Sequence, residues 1–284
     1  MRRFGIMQGR LGPPEAGRFQ SFPCDGWRLE FARAAEAGLD SIEWIYDAFG
    51  QFVNPLASDS GIAEIKALSA RHGVEVVSVC ADYFMDRPIA GAAGSEMLDV
   101  TARLYWLLER CARLGVERVV VPFVDASSMR SAEDRERVAG VLGDLIPLAE
   151  RANLELHLET DLRPEAFAAF LDRCSHPSIK VNYDSGNSAS LGYDAAAEFA
   201  AYGSRVGSVH IKDRVLGGGT VPLGSGDADL DTVFRCLGEA SYSGDFILQA
   251  ARGEPGAEVS LALSNRRYLL ERMRKAEGEK ARAQ

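Results

Sequence analysis

The stretch Leu114-Gly115-Val116-Glu117-Arg118-Val119-Val120-Val121-Pro122 contains the junction that decides the fold, because a helical segment ends at its glycine and a β-branched run follows. Glycine and asparagine accept the left-handed conformation that closes a helix, and valine favours strands. Similar junctions stand at Gly38, Gly73 and Asn153, so the four caps are 35, 42 and 38 residues apart. Each interval has the length of one βα unit, so the chain repeats a strand and a helix.

The same alternation runs through the whole chain. Eight strands are predicted at Phe4–Gln8, Ser41–Ile45, Glu75–Cys80, Arg118–Pro122, Leu154–Glu159, Ile179–Tyr183, Val206–Ile211 and Phe246–Gln249. Helices of the second half are predicted at Pro164–Cys174, Tyr193–Tyr202, Leu230–Ala240 and Ala257–Lys275. Eight such units predict an α/β fold of the closed (β/α)8 type, a TIM barrel, as a single domain over residues 1–275. Residues 276–284 are predicted to form a charged C-terminal tail.

An open, doubly wound sheet is the alternative architecture. That fold expects a phosphate-binding loop after the first strand, and Gly9-Arg10-Leu11-Gly12-Pro13-Pro14 has neither of the usual glycine patterns. The closed barrel is therefore the preferred interpretation.

Composition excludes several classes of function. The 284 residues carry a formal net charge of −9, which disfavours binding to nucleic acid or to anionic membranes. No apolar run approaches the roughly 18 residues of a spanning helix, and residues 1–10 lack the apolar core of a signal peptide. The 5 cysteines are scattered without a CxxC motif, so we expect a reducing, cytoplasmic location.

Ionisable side chains end three successive strands. In the fifth strand, Glu155, His157 and Glu159 share one parity and should face the barrel axis, while the leucines between them face the helices. The sixth strand ends at Asp184, and His210 lies near the end of the seventh. In a barrel these strand ends surround one point, so Glu159, Asp184 and His210 predict a site for Mn²⁺, Co²⁺, Mg²⁺ or Zn²⁺. Gln249 on the eighth strand offers a fourth, weaker oxygen ligand.

These motifs resemble the xylose-isomerase-like TIM-barrel superfamily, which includes sugar isomerases and epimerases, inosose dehydratases and AP endonucleases. The resemblance lies in strand-end Glu159, in Asp184-Ser185-Gly186-Asn187 and in Val209-His210-Ile211-Lys212-Asp213. The loops Gly224-Ser225-Gly226-Asp227 and Tyr242-Ser243-Gly244-Asp245 add to it.

The resemblance implies that Glu159, Asp184, His210 and position 249 form the metal set. In the epimerases a second glutamate at the last position returns the proton that the first one removes, whereas this chain has Gln249. An amide cannot act as a base. Glu159 would therefore serve as ligand and base, and the second proton would come from His157, Glu43 or a metal-bound water. A buried, neutral His157 with a purely structural role is the alternative for that residue.

The sequence does not match the AP-endonuclease branch of this superfamily. Those enzymes hold zinc with more histidines than the 4 of this chain, and Asn187 stands where they have a histidine. The acidic net charge also disfavours DNA as a substrate.

Other polar residues near strand ends are candidates for substrate binding. Phosphate, carboxylate or enolate oxygens suit the cationic groups, and hydroxyl groups suit the remainder. The candidates are Lys212, Arg214, Arg252, Asp82, Asn182 and Gln8. Solvation at the rim or a salt bridge is the alternative for each.

The sequence as a whole predicts a divalent-metal-dependent isomerase or epimerase that acts on a small sugar or cyclitol carbonyl compound through an enediolate. A dehydratase or lyase on a similar polyhydroxy ketone is one alternative, because it needs only one base and one acid. A non-catalytic sugar-binding barrel is another. By analogy with the superfamily, we expect a homodimer or homotetramer.

Overall fold

The structure is a computed structural model that describes residues 3–283, without the side chains of residue 277 and residues 279–283. Eight parallel strands close into a barrel in the order β1-β10-β7-β6-β5-β4-β3-β2. The strands are β1 (Phe4–Met7), β2 (Ser41–Ile45), β3 (Glu75–Cys80), β4 (Arg118–Phe123), β5 (Glu155–Thr160), β6 (Ile179–Asp184), β7 (Val206–Ile211) and β10 (Phe246–Leu248). The short strands β8 (Asp213–Arg214) and β9 (Thr220–Val221) pair as an antiparallel ribbon. The predicted single-domain TIM barrel is confirmed, and the open sheet is excluded.

Helices follow the barrel strands. They are α1 (Trp27–Glu36), α2 (Asp59–His72), α3 (Tyr83–Asp86), α4 (Gly94–Leu114), α5 (Ala132–Ala152), α6 (Pro164–Arg173), α7 (Ser185–Leu191), α8 (Ala195–Tyr202), α9 (Leu230–Glu239) and α10 (Glu258–Ala283). The short helices α3 and α7 were not predicted. The backbone of the predicted tail continues α10 as far as residue 283, and residue 284 lies outside the described part.

The helix ends form as their sequences dictate. Gly73, Gly115 and Asn153 close α2, α4 and α5 with φ values of 67°, 86° and 52°. At the other end of α5, Ser131 and Asp134 form a reciprocal capping box. Each cap leads within a few residues into a strand, which fixes where β3, β4 and β5 begin.

The interior of the barrel is polar between β5 and β7. His157 of β5 is fully buried, and its ring lies against β7. A Cβ atom on Gly207 would lie 2.5 Å from the Cε1 atom of this ring, so only glycine leaves room for it. The leucines of β5 face outward into the apolar layer beneath the helices, as their parity predicted.

A network of ion pairs closes the N-terminal end of the barrel. The carboxylate of Asp245, in the loop before β10, lies 2.9 Å from the Arg118 guanidinium and 3.0 Å from that of Arg3. Arg3 also pairs with Glu75 and Glu117, which are exposed. Asp245 belongs to one of the loop motifs quoted above, and its role here is structural.

Within the described residues, no helix is long and apolar enough to cross a bilayer. The five cysteines are all free.

Candidate metal centre

Three ligand-type side chains meet where β5, β6 and β7 end. One donor atom each from Glu159, Asp184 and His210 lies within 4.8 Å of the others. All three residues are buried, with exposed fractions of 6, 5 and 0 %. The predicted convergence of these strand ends is therefore confirmed.

The two carboxylate oxygens of Asp184 have different partners. Its Oδ1 accepts hydrogen bonds from the backbone N–H groups of Gly186 and Asn187, at 2.9 and 2.8 Å, and so caps α7. Its Oδ2 is buried and forms an ion pair with the Lys212 ammonium, 2.8 Å away. Burial opposes ionisation, but Lys212 and His210 overcome it and lower the pKa of Asp184. Asp184 Oδ2 is thus an ionised oxygen that faces Lys212 and His210.

The two ring nitrogens of His210 face different groups. Nε2 lies 2.6 Å from Oε1 of Glu43, which is fully buried on β2 across the barrel. Nδ1 lies 3.3 Å from Oε2 of Glu159 and 3.8 Å from Oδ2 of Asp184. Burial alone would lower the pKa of His210, but the Glu43 charge and hydrogen bonds to the other carboxylates raise it well above its usual range. A ring that donates Nε2–H to a carboxylate presents Nδ1 to a metal, as metal-binding histidines commonly do.

Two asparagines hold the Glu159 carboxylate. Asn187 Nδ2 donates to Oε1 at 2.6 Å, and Asn182 Nδ2 donates to Oε2 at 3.0 Å. Asn182 is fixed in turn by Ser208, whose hydroxyl donates to its Oδ1 at 2.6 Å. These bonds orient Glu159 without adding charge.

Gln249 follows the eighth barrel strand, β10. Its Nε2 donates to Oε1 of Gln20 at 2.9 Å, while its own Oε1 is buried and has no hydrogen-bond partner. This buried oxygen without a donor belongs to one of the residues that the sequence assigns to a metal. Carboxylate, amide and imidazole donors suit Mn²⁺, Co²⁺, Mg²⁺ or Zn²⁺. The residues therefore fit a divalent cation.

A cavity of about 540 Å³ is lined by Glu159 and Gln249, but not by Asp184 or His210. Of the residues predicted from the sequence, Glu159, Gln249, Asp82, Lys212 and Arg214 line it. Among the lining residues that were not predicted are Gln20 and Asn187. Asn187 stands three positions after Asp184, in the first turn of α7, and that spacing could have identified it. Gln20 lies in the irregular loop after β1 and carries no such signal.

The structure corrects the roles predicted for His157 and Glu43. His157 lies two residues deeper on β5 than Glu159, where its ring contacts Ser208 at 2.7 Å and Glu155 at 2.9 Å. Burial lowers the pKa of His157 to about 4. Neither His157 nor Glu43 lines the cavity, so the geometry gives Glu43 an orienting contact with His210 and gives His157 a structural one.

Three residues predicted to bind substrate also lie away from the cavity. Gln8 is buried and accepts a hydrogen bond from the Ile45 backbone at 2.9 Å. Asn182 lies beneath Glu159, as described above. Arg252 lies behind the loop after β1, donates to the carbonyls of Phe19 and Gly12, and lines a separate cavity of about 130 Å³.

The chain belongs to the xylose isomerase-like TIM barrel family, whose pattern it matches over residues 31–269. A ketose 3-epimerase from Arthrobacter globiformis is 23% identical over 248 residues, which cover 81% of this chain and 79% of that protein. An inosose dehydratase from Clostridium perfringens is 26% identical over 176 residues, and the match spans 53% of this chain and 59% of the relative.

Solved structures share the fold. The structure of an L-ribulose 3-epimerase superposes with a TM-score of 0.79 at 19% identity, and the match covers 100% of this chain and 98% of that one. The protein IolI, crystallised with a bound zinc atom, has a TM-score of 0.71 at 17% identity, with coverage of 98% and 97%.

Proposed function

We propose that the protein is a divalent-metal-dependent isomerase or epimerase of a small polyhydroxylated ketone. The observation that carries this proposal is the convergence of Glu159 with Asp184 and His210, because Glu159 also lines a cavity large enough for a monosaccharide. The ketose 3-epimerase and the L-ribulose 3-epimerase described above support the same class of reaction.

Glu159 is the base in this proposal. A divalent cation held by Glu159, Asp184, His210 and Gln249 would polarise the ketone and stabilise the negative charge of an enediolate. The carboxylate of Glu159 removes the proton from the carbon beside the carbonyl, while Asn187 and Asn182 fix its orientation. Lys212 lines the same wall and adds positive charge near the developing oxyanion.

The charges of the cavity favour a substrate without a phosphate group. The ammonium of Lys212 is paired with Asp184, and the guanidinium of Arg214 donates to Asn187 and to the Gly218 carbonyl. A phosphate would have to displace these contacts. Further carboxylates line the cavity, at Asp47, Asp82, Asp86 and Asp125. A neutral ketose or cyclitol ketone therefore fits best.

Dehydration is the second candidate reaction. Position 249 holds an amide where the epimerases have a carboxylate. Loss of a β-hydroxyl group requires only one base and one acid, and so tolerates this amide better than epimerisation does. The inosose dehydratase described above supports this candidate. The same Glu159 would abstract the proton in both reactions.

Proton exchange in D₂O tests the proposal. L-ribulose, D-fructose and an inosose are incubated with protein loaded with Mn²⁺, and deuterium incorporation beside the carbonyl is followed by NMR. We expect exchange with at least one of these compounds, and Glu159→Gln should slow it by about 10²- to 10⁴-fold. Asp144→Asn, on the exposed face of α5, is the control and should leave the rate unchanged. Binding without any exchange would indicate a non-catalytic sugar-binding barrel and would overturn the proposal.

A further inference from the structure

Asp82 follows β3 and lines the same cavity as Glu159 and Gln249. The register pairs Cys80 with Val120 and Pro122 with Glu159, and Asp82 stands two residues beyond the end of β3. Only β4 lies between the two acidic side chains along the barrel wall, a separation of roughly 10 Å at the usual strand spacing. Both acids line the same cavity, so a substrate carbon between them would face one acid on each side.

The hydrogen bonds of Asp82 come only from neutral groups. Gln20 Nε2 donates to Oδ2 at 2.7 Å, and the Cys80 thiol donates to Oδ1 at 3.1 Å. No Lys, Arg or His of the described residues forms an ion pair with Asp82, and the side chain is 9 % exposed. The Arg10 guanidinium, which donates to Gln20, acts on it electrostatically, as do the charges of the carboxylates Asp47 and Glu159. Burial, together with the charges of these two carboxylates, raises its pKa to about 6.

Gln249 takes part in holding Asp82. Its Nε2 donates to Gln20 Oε1 at 2.9 Å, and Arg10 donates to the same oxygen at 3.1 Å. With its oxygen engaged by two donors, the Gln20 amide turns its Nε2 toward Asp82. An ionised glutamate at position 249 could not donate to this oxygen, so the amide at 249 and the orientation of Gln20 depend on each other.

We propose that Asp82 is the second acid–base residue of the reaction and performs the proton transfer for which Gln249 is unsuited. The inference rests on the function proposed above. Glu159 removes the proton from the substrate carbon, and the electron pair of the C–H bond moves toward the carbonyl. The Asp82 carboxylic acid then donates its proton to the same carbon from the opposite face. Asp82 ends ionised and Glu159 ends protonated, and both return to their starting states by proton exchange with water.

Asp82→Asn separates this role from a purely structural one. In D₂O the wild type should exchange the proton and form the epimer of L-ribulose or D-fructose. The variant should still exchange, because Glu159 is intact, while epimer formation should fall by about 10²- to 10⁴-fold. Glu159→Gln should lose both activities, and the remote Asp144→Asn should lose neither. Epimer formation within about tenfold of the wild-type rate in Asp82→Asn would overturn the proposal.

A second measurement needs neither substrate nor turnover. Infrared difference spectra of the protein between pH 5 and pH 7 should contain the band of a protonated carboxyl group that disappears near pH 6. The same spectra of Asp82→Asn should lack it. If the Asp82 carboxyl is already ionised at pH 5, it cannot donate the proton, and the proposal fails even if Glu159 proves to be the base. If the wild type exchanges no proton, the proposed function fails, and the carboxyl band still decides whether Asp82 can act as an acid.

Discussion

The two ends of the barrel surround their buried carboxylates with different partners. At the N-terminal end, the Asp245 carboxylate is shared by the guanidinium groups of Arg118 and Arg3, and Arg3 also pairs with the exposed Glu75 and Glu117. At the C-terminal end, Glu159 and Asp184 converge with His210, and Lys212 is the one ammonium paired with them among the described residues. The N-terminal arrangement holds one buried carboxylate between two cations, whereas the C-terminal one brings two carboxylates together with one histidine and one lysine. The contrast indicates that one end stabilises the fold, and it is one basis for proposing a cation at the other.

Breaking the N-terminal pair should cost the most stability. Arg118→Met leaves the buried Asp245 carboxylate with the partly exposed Arg3 alone, and loss of one partner of a buried ion pair lowers the free energy of unfolding by about 3 kcal/mol or more. Urea denaturation measures this loss. Arg28→Met removes an exposed pair with Glu64 and should cost less than about 1 kcal/mol. Equal losses in the two variants would contradict the structural role of the N-terminal network.

Removing a cavity carboxylate should instead stabilise the protein. The pKa of Asp82 is raised to about 6 in the folded chain, so the folded state holds this proton more tightly than the unfolded state. The wild type therefore loses stability as the pH rises from about 4 to 6, and Asp82→Asn avoids that loss. Urea denaturation of the metal-free protein should find the variant more stable by about 2 kcal/mol at pH 7.5 and equal to the wild type at pH 4. A difference independent of pH would contradict this assignment.

The contact between Glu43 and His210 should affect metal affinity rather than the fold. Glu43→Gln keeps an acceptor for the Nε2–H of His210 but removes the charge that orients and polarises the ring. Loss of such a partner weakens metal binding by about 10- to 100-fold. Calorimetric titration with Mn²⁺ measures the change, and Glu75→Gln at the opposite end should bind Mn²⁺ as the wild type does. Unchanged affinity in Glu43→Gln would show that Glu43 does not support the site.

The pH dependence of metal binding provides a finer test. The pKa of His210 is raised well above its usual range without a cation, so the ring must lose a proton when a metal binds to Nδ1. Asp184, whose pKa is lowered, stays ionised and releases none. Affinity for Mn²⁺ should therefore rise about tenfold from pH 6 to pH 7, with one proton released per cation. Affinity that is constant over this range would place the cation elsewhere.

The sequence predicts the barrel and the metal residues because both depend on local patterns. The caps at Gly73, Gly115 and Asn153 mark where strands begin, and alternation within β5 shows which side chains face the axis. Position along a strand then places Glu159 at the rim. These inferences need no knowledge of which strands lie opposite one another.

The partners of these residues depend on how the barrel closes, and local patterns do not show this. The side chain of Glu43 on β2 contacts His210 on β7 inside the barrel. The prediction that Glu43 faces the barrel axis was therefore correct, whereas its predicted position at the end of the strand was not. Gln20 enters the cavity from an irregular loop that is held by Arg10 and Arg252 from behind. The same contact explains why Arg252 does not line the cavity, although it was predicted to bind substrate. Its guanidinium donates to loop carbonyls instead.

Metal content tests the central claim most directly. Untagged protein purified without chelators is analysed by elemental mass spectrometry beside His210→Ala, with His72→Ala at the end of α2 as the control. We expect about one Mn, Co, Zn or Mg per chain in the wild type and in His72→Ala, and little or none in His210→Ala. Protein that holds no such metal, even after incubation with Mn²⁺ or Co²⁺, would contradict the assignment of Glu159, Asp184 and His210 as a metal centre.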